Sequence, residues 1–399
     1  MSARRSAIAT ALALLVPAAA LAVPPSGSAT EPSDPVGDVA VLVTPHQRIR
    51  LEALPQIVQQ GRLVAGADAA RSAVVATLRP ATPGRRVQLQ VRRGDSWQVV
   101  ATGRQDGRGR VQFAAAATTD EHPSTYRVRA MASGSLRPLS SHAVSTARWQ
   151  DPTWTEEFPG EHLDPVWNHR GHDYVPTARR SCSRGHPSAV SVDGGAARLS
   201  VVIDPDATRR CRIRGRDRAP GTYAYRLNGH IGTQGAFAFR YGVAAARVKF
   251  HARRGQHGAF WLQPVEGMYP GGAGSEIDVV EYFGDHHPQG GLATFMHRYD
   301  GRRRVSSGGW IPRSASYLKN RRDGWSKNYH VFSVEWSPRL LVFRIDGVET
   351  GRMRGGVSAV RQFPILSLLA ADYEVPKIRE RHLPQHMYVD WVRVWETGG

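Results

Sequence analysis

Three acidic residues crowd one short stretch, Gly274-Ser275-Glu276-Ile277-Asp278-Val279-Val280-Glu281-Tyr282-Phe283. In a regular strand successive side chains alternate faces, so Glu276 and Asp278 share one face while Ile277 and Val279 point to the other. Glu281 then has the wrong parity and would be buried unpaired on the apolar side, which is costly. One extra residue absorbed as a β-bulge near Val279 and Val280 returns it to the polar face, and bulges gather beside active sites. Three carboxylates on one face raise at least one pKa among them. Glycosidic cleavage uses that arrangement: one ionised carboxylate acts as nucleophile and one kept protonated acts as general acid, with about 5 Å between them when configuration is retained. Asp278, between the two, is placed to share a hydrogen bond with the nucleophile. The competing reading is an exposed strand face of solvated acids. Against it stand Ile277, Val279, Val280, Tyr282 and Phe283, which mark a central, buried strand.

The elements that must position these acids are strands. Runs with strand character recur at Val243–Phe250, Glu276–Phe283, Val331–Trp336, Leu340–Asp346 and Tyr388–Trp395, with no helical periodicity of comparable length. The pattern predicts an all-β fold, a large sandwich over residues 151–397. A second, smaller sandwich is expected over 40–142, where Ala73–Leu78, Val87–Val91, Trp97–Val100, Val111–Phe113 and Tyr126–Ala130 alternate between glycine turns. Residues 143–150 read as a linker. Ahead of both, residues 1–22 have the form of an export signal and 23–39 that of a Pro- and Ser-rich spacer. Export implies a secreted protein without a membrane span after signal cleavage. It also permits a disulfide between the only two cysteines, Cys182 and Cys211. Closing that loop is worth about 3 to 4 kcal/mol in the chain-entropy picture.

The carboxylate stretch resembles the Glu-x-Asp-x-x-Glu signature of glycoside hydrolase family 16, in its bulged, laminarinase-like form. The resemblance extends from Trp154 to Trp395: Trp154–Leu163 is similar to the family's opening stretch, Gly258-Ala259-Phe260-Trp261-Leu262 to its "A-F-W-L" run, Met296-His297 to the histidine after the catalytic strand, and Val389–Val394 to the last strand. It implies a two-sheet β jelly roll with a concave cleft, Glu276 as nucleophile, Glu281 as acid/base and Asp278 as their helper. It further implies no cofactor for catalysis and a structural calcium held by Glu157, the Gly195 carbonyl and Asp390. The Trp97 and Tyr126 segments resemble bacterial immunoglobulin-like domains, which makes the smaller sandwich an accessory module.

Around the carboxylates, Trp261 reads either as a stacking platform for a sugar ring or as a core tryptophan. His297 is expected near the acid/base. Arg247 alternates to face the cleft and bond sugar hydroxyls, or else is a salt-bridged surface arginine. Trp310 and Trp325 sit in loops expected to rim the cleft. Two departures from the family pattern are expected on the glycone side: Ala245 stands where relatives carry an acidic sugar-binding residue, and Gly271–Gly274 replaces a tryptophan before the catalytic strand.

The expected activity is a secreted, monomeric, endo-acting retaining hydrolase of β-glucan, with β-1,3 or mixed β-1,3/1,4 linkages. Transglycosylation on the same intermediate is an alternative, as is an acidic or decorated extracellular polysaccharide. From another class comes a non-catalytic carbohydrate-binding surface protein. Lysine plus arginine number 53 against 34 acidic residues. That excess favours an anionic cell-surface polymer as partner, or is a solvated Arg-rich surface. The basic residues are spread without a nucleic-acid motif, so no nucleic-acid partner is expected.

Overall fold

A computed structural model of the protein describes residues 46–214 and 219–398, within one compact unit, Thr44–Gly399. The expected export signal and spacer lie outside the described residues. No helix among the described residues is long and apolar enough to cross a membrane. The chain is all-β.

Besides the short pair Thr118–Thr119 and His122–Pro123, residues 48–145 form two small sheets. One orders Arg48–Ala53, Ser72–Arg79 and Arg110–Ala115; the other orders Val144–Ser145, Thr125–Ala130, Arg86–Arg93 and Ser96–Arg104. Alternation sends Val74, Leu78, Val87, Leu89, Phe113, Tyr126 and Val128 into a shared core. The stretch expected as a linker, 143–150, is structured. Val144–Ser145 pairs with the edge of Thr125–Ala130, and Trp149 is buried with its indole N–H donating to the Ala53 carbonyl at 2.8 Å.

The larger part is a jelly-roll sandwich. Its first layer orders the antiparallel strands Arg303–Trp310, Leu292–Asp300, Glu276–Tyr282, His257–Pro264, Gln362–Leu369 and Arg226–Gly232. The strand Arg226–Gly232 passes between layers, pairing Gln362–Leu369 through Gly229–Gly232 and Ala196–Ile203 through Arg226–Asn228. The second layer continues through Gln385–Glu396, Gly242–Lys249, His330–Ser337, Leu340–Ile345 and Val348–Arg354. Ile277, Val279, Val280 and Phe260 of the first layer share one core with Ala244, Ala246, Phe332 and Val394 of the second. The cleft is therefore the outer face of the first layer.

The outer face of the second layer is covered. Val243, Ala245, Val331, Trp391 and Trp395 pack against Leu54, Ile57, Ala73 and Trp149 from the N-terminal part. Arg247 lies on this face, two residues beyond Ala245, which corrects both cleft expectations. Its guanidinium pairs with the buried Asp390 and donates to the carbonyls of Gln59 at 2.7 Å and Leu63 at 3.1 Å. The parity was read correctly, but the strand belongs to the other layer.

The same contacts test the expected calcium ligands. Asp390 is neutralised by Arg247, and both oxygens of Glu157 accept from Arg393 at 2.7 and 2.8 Å. Gly195 faces Val64, since a Cβ on it would sit 3.1 Å from that side chain. With each carboxylate already held by a guanidinium, these residues do not fit a calcium ion.

Candidate active site

The Glu276–Tyr282 strand carries the expected bulge. Asp278 stands opposite Trp261 and Val280 opposite Phe260 on one side, and on the other Asp278 pairs with Phe295 and Glu281 with Ala293. Val279 is the extra residue. Val279 and Val280 are both buried in the sandwich core, while Glu276, Asp278 and Glu281 line a single cavity of about 740 Å³.

The three carboxyls differ in their neighbours. Glu276 Oε1 lies 3.2 Å from the Arg304 guanidinium and 4.0 Å from His297 Nε2. Burial raises its pKa, and Arg304 and then His297 oppose that rise. Asp278 is buried, which raises its pKa, while the contact from His297 Nε2 at 3.1 Å lowers it. Glu281 has no cation in direct contact among the described residues. Burial first, then the charge of Asp278, push its carboxyl up to about 7. Both glutamates are held above the usual range, but cations temper the rise at Glu276 whereas none touches Glu281 among the described residues.

His297 is tied across neighbouring strands. Its Nε2 faces Asp278, and its Nδ1 lies 2.6 Å from the Ser306 hydroxyl. The Asp278 contact is the main reason its pKa is raised. Trp261 lines the cavity beside the carboxylates, and its indole N–H donates to Ser367 at 3.1 Å, which fixes the ring plane. Trp325 corrects its expectation: it is buried in the sandwich core against Phe332 and His330. Trp310 ends its strand, stacked on His287 and edge-on to Phe283. Cys182 and Cys211 are bonded.

Several cavity residues were not singled out from sequence: Arg304, Arg179, Arg180, His257 and, behind His257, Glu374. A signal existed for His257 alone. It stands four residues before Trp261 in a strand, hence on the same face, and Ala259 between them pairs with Glu281. The others arrive from segments remote in sequence. Among the described residues, Glu276, Asp278 and His297 are the cluster whose donor atoms approach within 4.8 Å of one another, close enough for a metal ion. An ion there would compete with Arg304 for the Glu276 carboxyl.

Fold and site define a class: a two-layer β-sandwich whose open face holds two glutamates in unlike surroundings, one against cations and one buried without them. Residues 213–392 match the family described as "Glycosyl hydrolases family 16". It is 26% identical over 207 residues to "Glucan endo-1,3-beta-glucosidase A1" of Niallia circulans, covering 49% of this chain and 28% of that protein. It is 26% identical over 279 residues to "Keratan-sulfate endo-1,4-beta-galactosidase" of Sphingobacterium multivorum, covering 66% of this chain and 59% of that one. The chain thus spans less than two thirds of either relative. A solved laminarinase catalytic domain from Thermotoga maritima MSB8 superposes with a TM-score of 0.48 at 20% identity, covering 62% of this chain and 99% of that one.

Proposed function

We propose that this protein is a secreted, endo-acting retaining glycoside hydrolase of β-glucan, with β-1,3 linkages preferred. One observation carries the reading: on one cleft face, Glu276 lies against Arg304 and His297 while the Glu281 carboxyl is held up to about 7. In the first step the Glu276 carboxylate attacks the anomeric carbon as Glu281 gives its proton to the departing glycosidic oxygen. In the second, Glu281 takes a proton from water, the hydroxide oxygen attacks the same carbon, and Glu276 is released. Asp278, bonded to His297, holds negative charge between them and helps keep the proton on Glu281. An open cleft admits the middle of a chain, which favours endo cleavage. The β-1,3-glucan choice follows the name of the Niallia circulans relative. The smaller sandwich is taken as an immunoglobulin-like accessory module.

The test is a reducing-sugar assay on laminarin, mixed-linkage glucan and keratan sulfate, with the first-formed anomer read by NMR. A β-anomer formed first supports double displacement. An α-anomer formed first, or no polymer cleaved, sinks the reading.

A further inference from the structure

Beside Glu281 the cleft is bordered by the segment 179–183, and that segment is fixed. Cys182 is bonded to Cys211, and the Ser181 hydroxyl donates to Asp372 at 2.9 Å. The Asp372 N–H donates to the Arg179 carbonyl at 2.8 Å, and the Ser183 hydroxyl donates to the Ala370 carbonyl at 2.6 Å. Arg179 and Arg180 both line the cavity and are exposed there. Among the described residues, no carboxylate lies within ion-pair distance of either.

Arg180 is aimed by groups behind it. Its guanidinium donates to Nε2 of His257 at 3.3 Å. Arginine has donors only, so that nitrogen is bare and the ring keeps its proton on Nδ1, 2.6 Å from Glu374 Oε2. His257 and Glu374 are 3% and 1% exposed, and Glu374 is held in turn by the Ala371 N–H at 3.0 Å. A neutral sugar gives no return for a glutamate buried behind a cleft wall, and two adjacent arginines without a carboxylate partner repel one another. An anion from the substrate removes both costs, and the planar guanidinium fork matches a sulfate or carboxylate.

We propose that Arg179 and Arg180, the latter steered by Glu374 through His257, form a subsite for an anionic substituent on the sugar chain, a sulfate ester or a carboxylate. The substrate is then a charged β-glycan. This rests on the hydrolase reading above and replaces its neutral β-glucan by a chain that carries charge.

The test uses the purified full chain on matched polymers: laminarin, sulfated laminarin and carboxymethylated laminarin, with keratan sulfate before and after desulfation as a second backbone. On at least one backbone, kcat/KM should be about tenfold or more higher for a charged form than for the neutral one, the size of one charge-assisted contact. The preference should fade as salt rises. The sulfated and carboxymethylated arms show which anion is read. The double variant Arg179→Ala, Arg180→Ala should cut the charged-to-neutral ratio about tenfold, mainly through KM. Glu374→Gln should cut it less, because it loosens Arg180 without removing it. Thermal melting checks folding, and the exposed arginine pair carries the test if Glu374→Gln does not fold. Equal rates on charged and neutral polymers, or a ratio that the arginine variant leaves unmoved, overturns the subsite while the hydrolase reading stands. Absence of Glu276-dependent cleavage of every polymer and of aryl β-glycosides overturns both.

Discussion

At the residue scale, the division of labour rests on which carboxyl keeps its proton. Glu276→Gln removes the proposed nucleophile and should lower turnover about 10³-fold or more on every substrate, measured by reducing-sugar release. Glu281→Gln should cost about 10² to 10⁴ on polysaccharide but spare the first step on dinitrophenyl glycosides, whose leaving group needs little protonation. Equal losses on both substrate types would contradict the roles. With the Glu281 carboxyl held up to about 7, kcat/KM on polysaccharide should fall as pH rises through about 7. The same shift affects stability. An unfolded glutamate ionises near pH 4.3, so the folded state is penalised progressively above that pH, and fully once pH passes about 7. Glu281→Gln should therefore raise the melting temperature at pH 8 and leave it nearly unchanged at pH 4.

At the element scale, the bulge decides where Glu281 points. Removing Val279 leaves Glu276, Asp278 and Glu281 in strict alternation, so all three remain on the cleft face. Removing both Val279 and Val280 puts Glu281 directly after Asp278, at odd parity, and turns it into the core among Phe260 and Met296. Measurable turnover in the single-deletion variant and none in the double-deletion variant is the expected pair of results, read with a chromogenic glycoside. The carboxylate parity, and the need for a bulge to correct it, were legible in the sequence, because period-two alternation is a local property. The His297–Asp278 contact was half legible: the position was marked, but its partner depends on strand pairing. His257 and Glu374 lie far apart in the chain, and nothing local signals that they meet.

At the scale of the molecule, the second layer's outer face is buried under the N-terminal part, with Arg247 and Asp390 at its centre. Trp391 joins them by donating its indole N–H to Gln59 at 2.7 Å. Arg247→Ala leaves Asp390 buried and unpaired, so it should cost about 3 to 5 kcal/mol in urea unfolding. Turnover of an aryl glycoside by the folded protein should be unchanged, since Arg247 is outside the cleft. A loss of turnover with unchanged stability would restore the cleft role that alternation alone suggests.

Spacing and alternation by themselves determined that the chain is all-β, that its acids share a strand face only through a bulge, and that two cysteines are available to pair. These follow from the backbone's period and from side-chain chemistry. Which of two layers a strand joins was decided only in three dimensions. Arg247 and Glu276 both obey the same alternation, yet one faces the N-terminal part and the other the cleft. Alternation fixes a side chain's face relative to its own strand, whereas the layer that strand enters is set by pairing between residues far apart in sequence. The unlike surroundings of Glu276 and Glu281 belong to that second category, because the contacts of Arg304 and His297 and the burial of Glu281 exist only once the sheet has formed.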